Sequence, residues 1–183
     1  MKPIQLFDEV LDNNFKVQPK GNTYYLEESS NSSYPVTKLR KEGKALVYKF
    51  DRVGRLFPFF DEKKGFIHKS SDYIIFNEKE NALFVFVVEL KSKNPQDAHA
   101  QLFASEKFVN FVHSMVEAYC KINKILIVGN DKLAIRHIVL SLKSPRFATN
   151  VKEDNKYHIH KQFDYQYLHK RAGTNLFLEN LCT

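Results

Sequence analysis

The sequence predicts an α/β protein built on a central mixed β-sheet flanked by helices. Three observations carry that expectation: the segment 72–91 (DYIIF, NEKEN, ALFVFVVELK) reads as a hairpin of two apolar strands, a long helix with an apolar stripe follows it, and ILIVGN from Ile125 reads as a further buried strand. Strands that are apolar on both faces belong to sheets covered on both sides, not to half-solvated meanders. The order strand, strand, strand, helix, strand then fits a mixed sheet with helical cover. At 183 residues the chain is about one domain long and can bury a core without disulfide or metal staples. Its 43% hydrophobic and 27% charged residues exclude collagen-like, low-complexity and wholly disordered classes.

The elements follow in order. IQLFDEVL suits a short first helix and TYYLEE a strand by its aromatics. The Ser, Asn and Pro of 28–35 (ESSNSSYP) mark a surface loop. Residues 45–50 (ALVYKF) form a strand, followed by the aromatic cluster Phe57, Phe59 and Phe60. After the hairpin, Asn94-Pro95-Gln96-Asp97 is a helix start, with Asn as N-cap, Pro at the first position and an acid in the first turn. Phe108, Phe111, Val112, Met115, Val116 and Tyr119 recur at three and four and predict the buried stripe of the long helix. IRHIVLSL and KYHIHKQF would add edge strands, and TNLFLENL a final short helix. The expected organisation is a single domain with an extension over 1–43, a core over 44–129 and additions over 130–183.

The longest apolar run, 82–88, is seven residues where a membrane span needs about twenty, and MKPIQLFDEV carries no signal-peptide stretch, so a cytoplasmic location without membrane contact is expected. Cys120 and Cys182 lie far apart and show no CxxC spacing, which predicts two reduced thiols. The net charge of +7 favours polyanionic partners. Residues 38–69 carry ten Lys/Arg against four Asp/Glu, and 143–171 seven against three, so two basic regions could flank one site or form two solvated faces.

Three Glu-x-Lys triplets occur. Glu42-Gly43-Lys44 and Glu62-Lys63-Lys64 lie in polar stretches and read as solvated charge, whereas Glu89-Leu90-Lys91 ends the apolar run. Two charged groups at the edge of a buried strand need a partner or a function to offset their desolvation. Alternate strand residues share a face, so Glu89 and Lys91 project together and Leu90 points away. With the hairpin turning about Glu80 and Asn81, paired residue numbers sum to 161, which sets Asp72 opposite Glu89. Two carboxylates that close repel unless a cation joins them. A divalent metal would do so; Lys91 bridging the pair in a structural ion cluster is the alternative.

These residues resemble the PD-(D/E)XK nuclease superfamily. SSDYIIF and VVELKS are similar to its second-strand acid and third-strand Glu-x-Lys motifs, and the long helix and ILIVGN follow in the family's order over about 44–129. The resemblance implies a restriction-endonuclease-like core (helix, three strands, helix, strand) and a Mg²⁺ (or Mn²⁺)-dependent nuclease. It implies further that Asp72 and Glu89 ligate the ion, that the backbone carbonyl of Leu90 adds a ligand, and that Lys91 orients or activates the attacking water. Ser71 stands where the motif's name has Pro. Gln101 is placed like the Gln of the exonuclease branch's Gln-x-x-x-Tyr motif, with Ser105 in place of Tyr. Gln101 also lies seven and fourteen residues before Phe108 and Met115, on the inward stripe.

Lys69, His68 and Lys93 are candidate phosphate contacts or plain surface residues, Glu9 is the candidate acid from the first helix or a solvated helix acid, and the three phenylalanines could stack bases or pack the core. His158 and His160 would share one strand face as a metal pair without an evident third ligand, or simply form a polar edge. Asp164, Tyr165, Tyr167 and His169 form a polar aromatic cluster better suited to packing than to catalysis. There is no Gly-rich phosphate loop, GxSxG elbow or HExxH. The expected function is hydrolysis of phosphodiester bonds, with DNA the favoured substrate, in restriction, repair or anti-phage defence. A homodimer or a partner protein is compatible with it, and a non-catalytic nucleic-acid-binding or assembly module that keeps the fold is the competing expectation.

Overall fold

The hairpin at 72–91 organises the molecule. In the computed structural model the described residues are 1–28, 33–50, 60, 61, 63, 65, 70–80, 82–92, 94, 98–128, 133–142 and 157–182. The hairpin strands are β5 (Tyr73–Lys79) and β6 (Ala82–Lys91), and their register runs from Tyr73 opposite Val88 to Lys79 opposite Ala82. Each pair sums to 161. Strand β5 runs on through Asn77-Glu78-Lys79, residues the sequence assigned to the polar connection, because Asn77 is buried with its amide donating to the Cys182 sulfur at 3.3 Å.

The preceding elements are α1 (Pro3–Val10), β1 (Lys16–Val17), β2 (Thr23–Leu26), β3 (Thr37–Arg40) and β4 (Ala45–Tyr48). The following ones are α2 (Ala98–Asn123), β7 (Leu133–Ser141), β8 (His158–His160), β9 (Tyr165–Arg171), β10 (Asn175–Phe177) and α3 (Leu178–Leu181). Seven strands make one mixed sheet in the order β1-β4-β5-β6-β7-β9-β8, antiparallel from β1 to β6, parallel across β6-β7-β9 and antiparallel again at β8. A second sheet has the order β10-β3-β2.

Side-chain alternation divides the core in two. Ile74, Phe76, Val85 and Val87 pack with Ile4 and Phe7 of α1 and with Leu102, Val109, Val112 and Val116 of α2. Ile75, Phe86, Val88 and Leu90 face the other way, onto Tyr24, Leu26, Leu39, Leu176 and Leu178. Helices α1 and α2 thus cover one face of the mixed sheet, and the small sheet with α3 covers the other. Strands β2 and β3 alternate buried and more exposed residues, as strands wet on one side do.

Two expectations are corrected. ILIVGN does not supply the next strand: residues 125–128 are irregular, with Leu126 79% and Val128 59% exposed. Helix α2 ends with Lys124 in the left-handed region (φ 54°) and the Ile125 N–H donating to the Cys120 carbonyl, a helix-terminating turn. The backbone beyond it bonds to the start of the chain, Val128 N–H to the Met1 carbonyl and the Met1 ammonium to the Leu126 carbonyl. Strand β7, from LAIRHIVLS, takes the place beside β6, so a segment expected at an edge is central and the central sheet extends past residue 129. The stripe of α2 is also turned. Ala98, Leu102, Ser105, Val109, Val112, Val116 and Cys120 are buried, whereas Phe111 and Met115 are more than half exposed. Small residues at 98 and 105 let the helix approach the sheet, and they carry no hydropathy signal.

The helix start at 94–97 lies outside the described residues except for exposed Asn94, as do residues 29–32 of the predicted loop and the cluster residues Phe57 and Phe59. Among the described residues no helix is long and apolar enough to cross a membrane, and both cysteines are free and buried.

Leu102 is fully buried in the contact between α2 and the sheet; Leu102→Ala is expected to cost about 2–5 kcal/mol, read as a lowered urea midpoint. His99, at the start of α2, is also buried. Its Nδ1 lies 2.8 Å from the Tyr165 hydroxyl, and that hydroxyl donates to the His99 carbonyl. Burial, reinforced by His160, His169 and His137, brings its pKa down to about 4. The folded protein therefore refuses a proton that the unfolded chain accepts. The stability this represents is complete above pH 6.5 and is lost as pH falls towards 4. Urea midpoints measured across that window should decline on acidification, and His99→Phe should flatten the decline.

Candidate functional site

Strand β6 carries its charges where its burial ends. Glu89 is 2% exposed and its neighbour on the same face, Lys91, brings its ammonium to 2.6 Å from Glu89 Oε1. Asp72 stands immediately before β5, in the register position opposite Glu89. The two are locked by backbone contacts: the Leu90 N–H donates to Asp72 Oδ2 at 2.6 Å, and the Asp72 N–H donates to Glu89 Oε2 at 3.3 Å. Asp72 therefore closes the hairpin end through its side chain, which holds its carboxylate beside that of Glu89. The Leu90 side chain is buried in the opposite core, so its backbone alone is available at the site.

Burial pushes the Glu89 carboxyl above the ordinary range, the charge of Asp72 pushes it further, and Lys91 opposes both without overcoming them. A contact of 2.6 Å with an ammonium would lower an exposed carboxyl; here the desolvation of a nearly enclosed group and the adjacent like charge prevail. Lys91 alone thus does not offset the cost of ionising Glu89 beside Asp72. Oxygen donors in that condition suit a hard divalent cation such as Mg²⁺, which takes one or two carboxylates and keeps several waters. Among the described residues no group of three or more His, Cys, Asp and Glu converges to hold a metal ion, so the donors here are two carboxylates with the Leu90 carbonyl as a backbone candidate.

Gln101, on the first turns of α2, accepts from the Lys91 ammonium through Oε1 at 2.6 Å and reaches the Ser70 carbonyl with Nε2 at 3.5 Å. The structure thus brings together Asp72, Glu89, Lys91 and Gln101. It does not bring Glu9 there: Glu9 is exposed and accepts from the Tyr119 hydroxyl at 3.0 Å, eighteen residues or roughly 27 Å along α2 from Gln101. The apolar stripe of α1 directs Ile4, Leu6 and Phe7 inward and leaves Glu9 on the outer side. Lys69, His68 and Lys93 lie outside the described residues. His158 and His160 share a face of β8 with their rings beside Tyr167, and His160 also meets His99 in a tilted contact with centroids 4.0 Å apart. Lys44, from one of the other triplets, pairs with Asp8 at 3.5 Å.

Two supports have no sequence signal strong enough to assign them. The Ser105 hydroxyl, four residues after Gln101 on α2, accepts from the Ser71 N–H at 2.7 Å and anchors the backbone that enters Asp72. Ser105 is therefore a buried backbone anchor. Tyr34, on the opposite face, donates its hydroxyl to the Leu140 carbonyl at 2.6 Å and packs in the same core as Leu90, bracing the strand ends from behind. Compared with known proteins, the chain matches no family model, and no curated protein or solved structure matches it either.

The raised Glu89 pKa has a measurable sign. Between the unfolded value near 4.5 and the higher folded value, the native state holds a proton the unfolded chain has lost. That stabilisation is present below the unfolded value and fades as pH rises through the folded one. In metal-free buffer, Glu89→Gln should remove the decline in urea midpoint on the alkaline side; an unchanged decline would place the perturbed carboxyl elsewhere.

Proposed function

We propose that the protein is a metal-dependent nuclease of PD-(D/E)XK type that hydrolyses phosphodiester bonds in DNA. The observation that carries this reading is the pairing of Asp72 with Glu89 at the end of a buried strand, with Lys91 held against both Glu89 and Gln101. The element order α1, β4, β5, β6, α2, β7, with the acid before the second of these strands and Glu-x-Lys on the third, supports a restriction-endonuclease-like core. The net charge of +7 suits a polyanionic substrate.

Asp72 and Glu89 would hold Mg²⁺ or Mn²⁺, with the Leu90 carbonyl as a further ligand. When bound, such an ion makes water a nucleophile near neutral pH and offsets charge growing on the phosphate. Lys91 presents a compact positive charge beside the carboxylates and orients the attacking water. Gln101 fixes the ammonium and, by bonding to the Ser70 carbonyl, ties α2 to the strand entering Asp72. The role in the cell would be restriction, repair or defence against foreign DNA.

A panel of linear and circular duplex DNA, single-stranded DNA and RNA, incubated with Mg²⁺, Mn²⁺ or EDTA, tests the reading. The wild type should cut DNA only with metal, and Glu89→Ala or Lys91→Ala should lower the rate by at least about a hundredfold. Metal-dependent cutting that survives both substitutions would assign the activity to another site, and an inert wild type that binds DNA would favour a binding module.

A further inference from the structure

Next to Lys91, on the same face of the sheet, lies a polar pair that the nuclease reading leaves without a role. Strands β6, β7 and β9 are parallel, and their register sets Glu89 opposite Val139, Val139 opposite His169, and Lys91 opposite Ser141. Residues in one such row project to one face. That face is the one under α2, since Lys91 meets Gln101, and Tyr165 and Tyr167, at alternate positions of β9 before His169, meet His99. His169 therefore stands two strand spacings, roughly 10 Å, from Glu89.

Ser141 is 1% exposed, and its Oγ lies 2.7 Å from His169 Nε2, while His169 itself is only half-buried. The serine thus forms the back of the pair and the imidazole its rim. With Nε2 engaged by Ser141, Nδ1 is the nitrogen that can meet a ligand. Burial and the neighbouring His158 hold the ring below its ordinary pKa, so at neutral pH it is an uncharged hydrogen-bonding group.

We propose that His169 and Ser141 form a phosphate-contact pair flanking the cleavage centre, in which Ser141 donates its O–H to Nε2 and so presents Nδ1–H to a phosphate oxygen of the bound strand near the scissile bond. This rests on the nuclease reading and extends it. His169 is the substrate contact and Ser141 positions it by fixing the tautomer. The ends of three parallel strands, carrying Glu89 and Lys91, Ser141, and His169, then form one continuous track for the backbone.

The test is binding of a fluorescein-labelled DNA duplex in Ca²⁺, followed by anisotropy across a salt series, with steady-state cleavage in Mg²⁺. His169→Ala should weaken binding and raise KM about fivefold with kcat within about twofold, since the contact exists before and during reaction. The slope of log Kd against log salt should not change, because an uncharged donor releases no counterion. His169→Asn, which keeps an N–H donor near the Nδ1 position, should recover most of the loss, and Ser141→Ala should show an intermediate one. These two variants carry the test if His169→Ala does not fold. Binding and KM equal to wild type, a salt slope smaller by about 0.9, or a loss confined to kcat would each overturn the proposal while leaving a cleaving wild type as a nuclease. A wild type that neither cuts nor binds DNA would remove the nuclease reading and this pair's role with it.

Discussion

The register of one hairpin decides where Asp72, Glu89 and Lys91 lie. Pairs summing to 161 set Asp72 opposite Glu89, and the reciprocal bonds from Leu90 N–H and Asp72 N–H to the two carboxylates fix that end of the hairpin. A slip of one residue would turn each β5 side chain to the other face of the sheet. It would drive Ile74 and Phe76 out of the α-helical core and carry Asp72 away from Glu89 in the same motion. The hydrophobic core therefore enforces the geometry of the site: the apolar alternation that is strongest energetically also specifies the polar arrangement.

Charge is placed where that core ends, and Lys91 alone does not offset the burial of Glu89. Glu89 is nearly enclosed, faces a second carboxylate, and has one ammonium in contact. A cluster selected only for stability would be better served by apolar residues of similar volume. The molecule instead surrounds it with supports that have no other evident purpose: Gln101 on Lys91, Ser105 on the backbone of Ser71, and Tyr34 on the carbonyl of Leu140 behind the strand ends. Supports of this kind fix the orientation of charged groups, which is what electrostatic stabilisation of a phosphate requires.

Much of this was legible in the sequence because it rests on period two and on turn position. The hairpin, its register and the common face of Glu89 and Lys91 follow from ALFVFVVELK and the residues that precede it. What was not legible depended on tertiary choices. ILIV and LAIRHIVLS are both apolar enough for a buried strand, and only the helix-terminating turn at Lys124 and the bonds from Met1 settle which enters the sheet. The stripe of α2 was misplaced because Phe111 and Met115 outweigh Ala98 and Ser105 in hydropathy, although the small residues are the ones that face the sheet. The second sheet was hidden because β3 and β10, which pair in parallel, lie far apart in the chain. Ser141 and His169 were invisible as a pair for the same reason, being brought together by the parallel pairing of β7 with β9 at a separation of 28 positions.

The role proposed for Asp72 and Glu89 is to hold a divalent cation, against the alternative of an ion cluster completed by Lys91. Crystals of the protein soaked in Mn²⁺ and measured at the manganese absorption edge address it without reference to activity. An anomalous peak between the two carboxylates, lost in Glu89→Gln, is the expected result. Full binding of both carboxylates by the Lys91 ammonium, with no anomalous peak at saturating Mn²⁺, would contradict it.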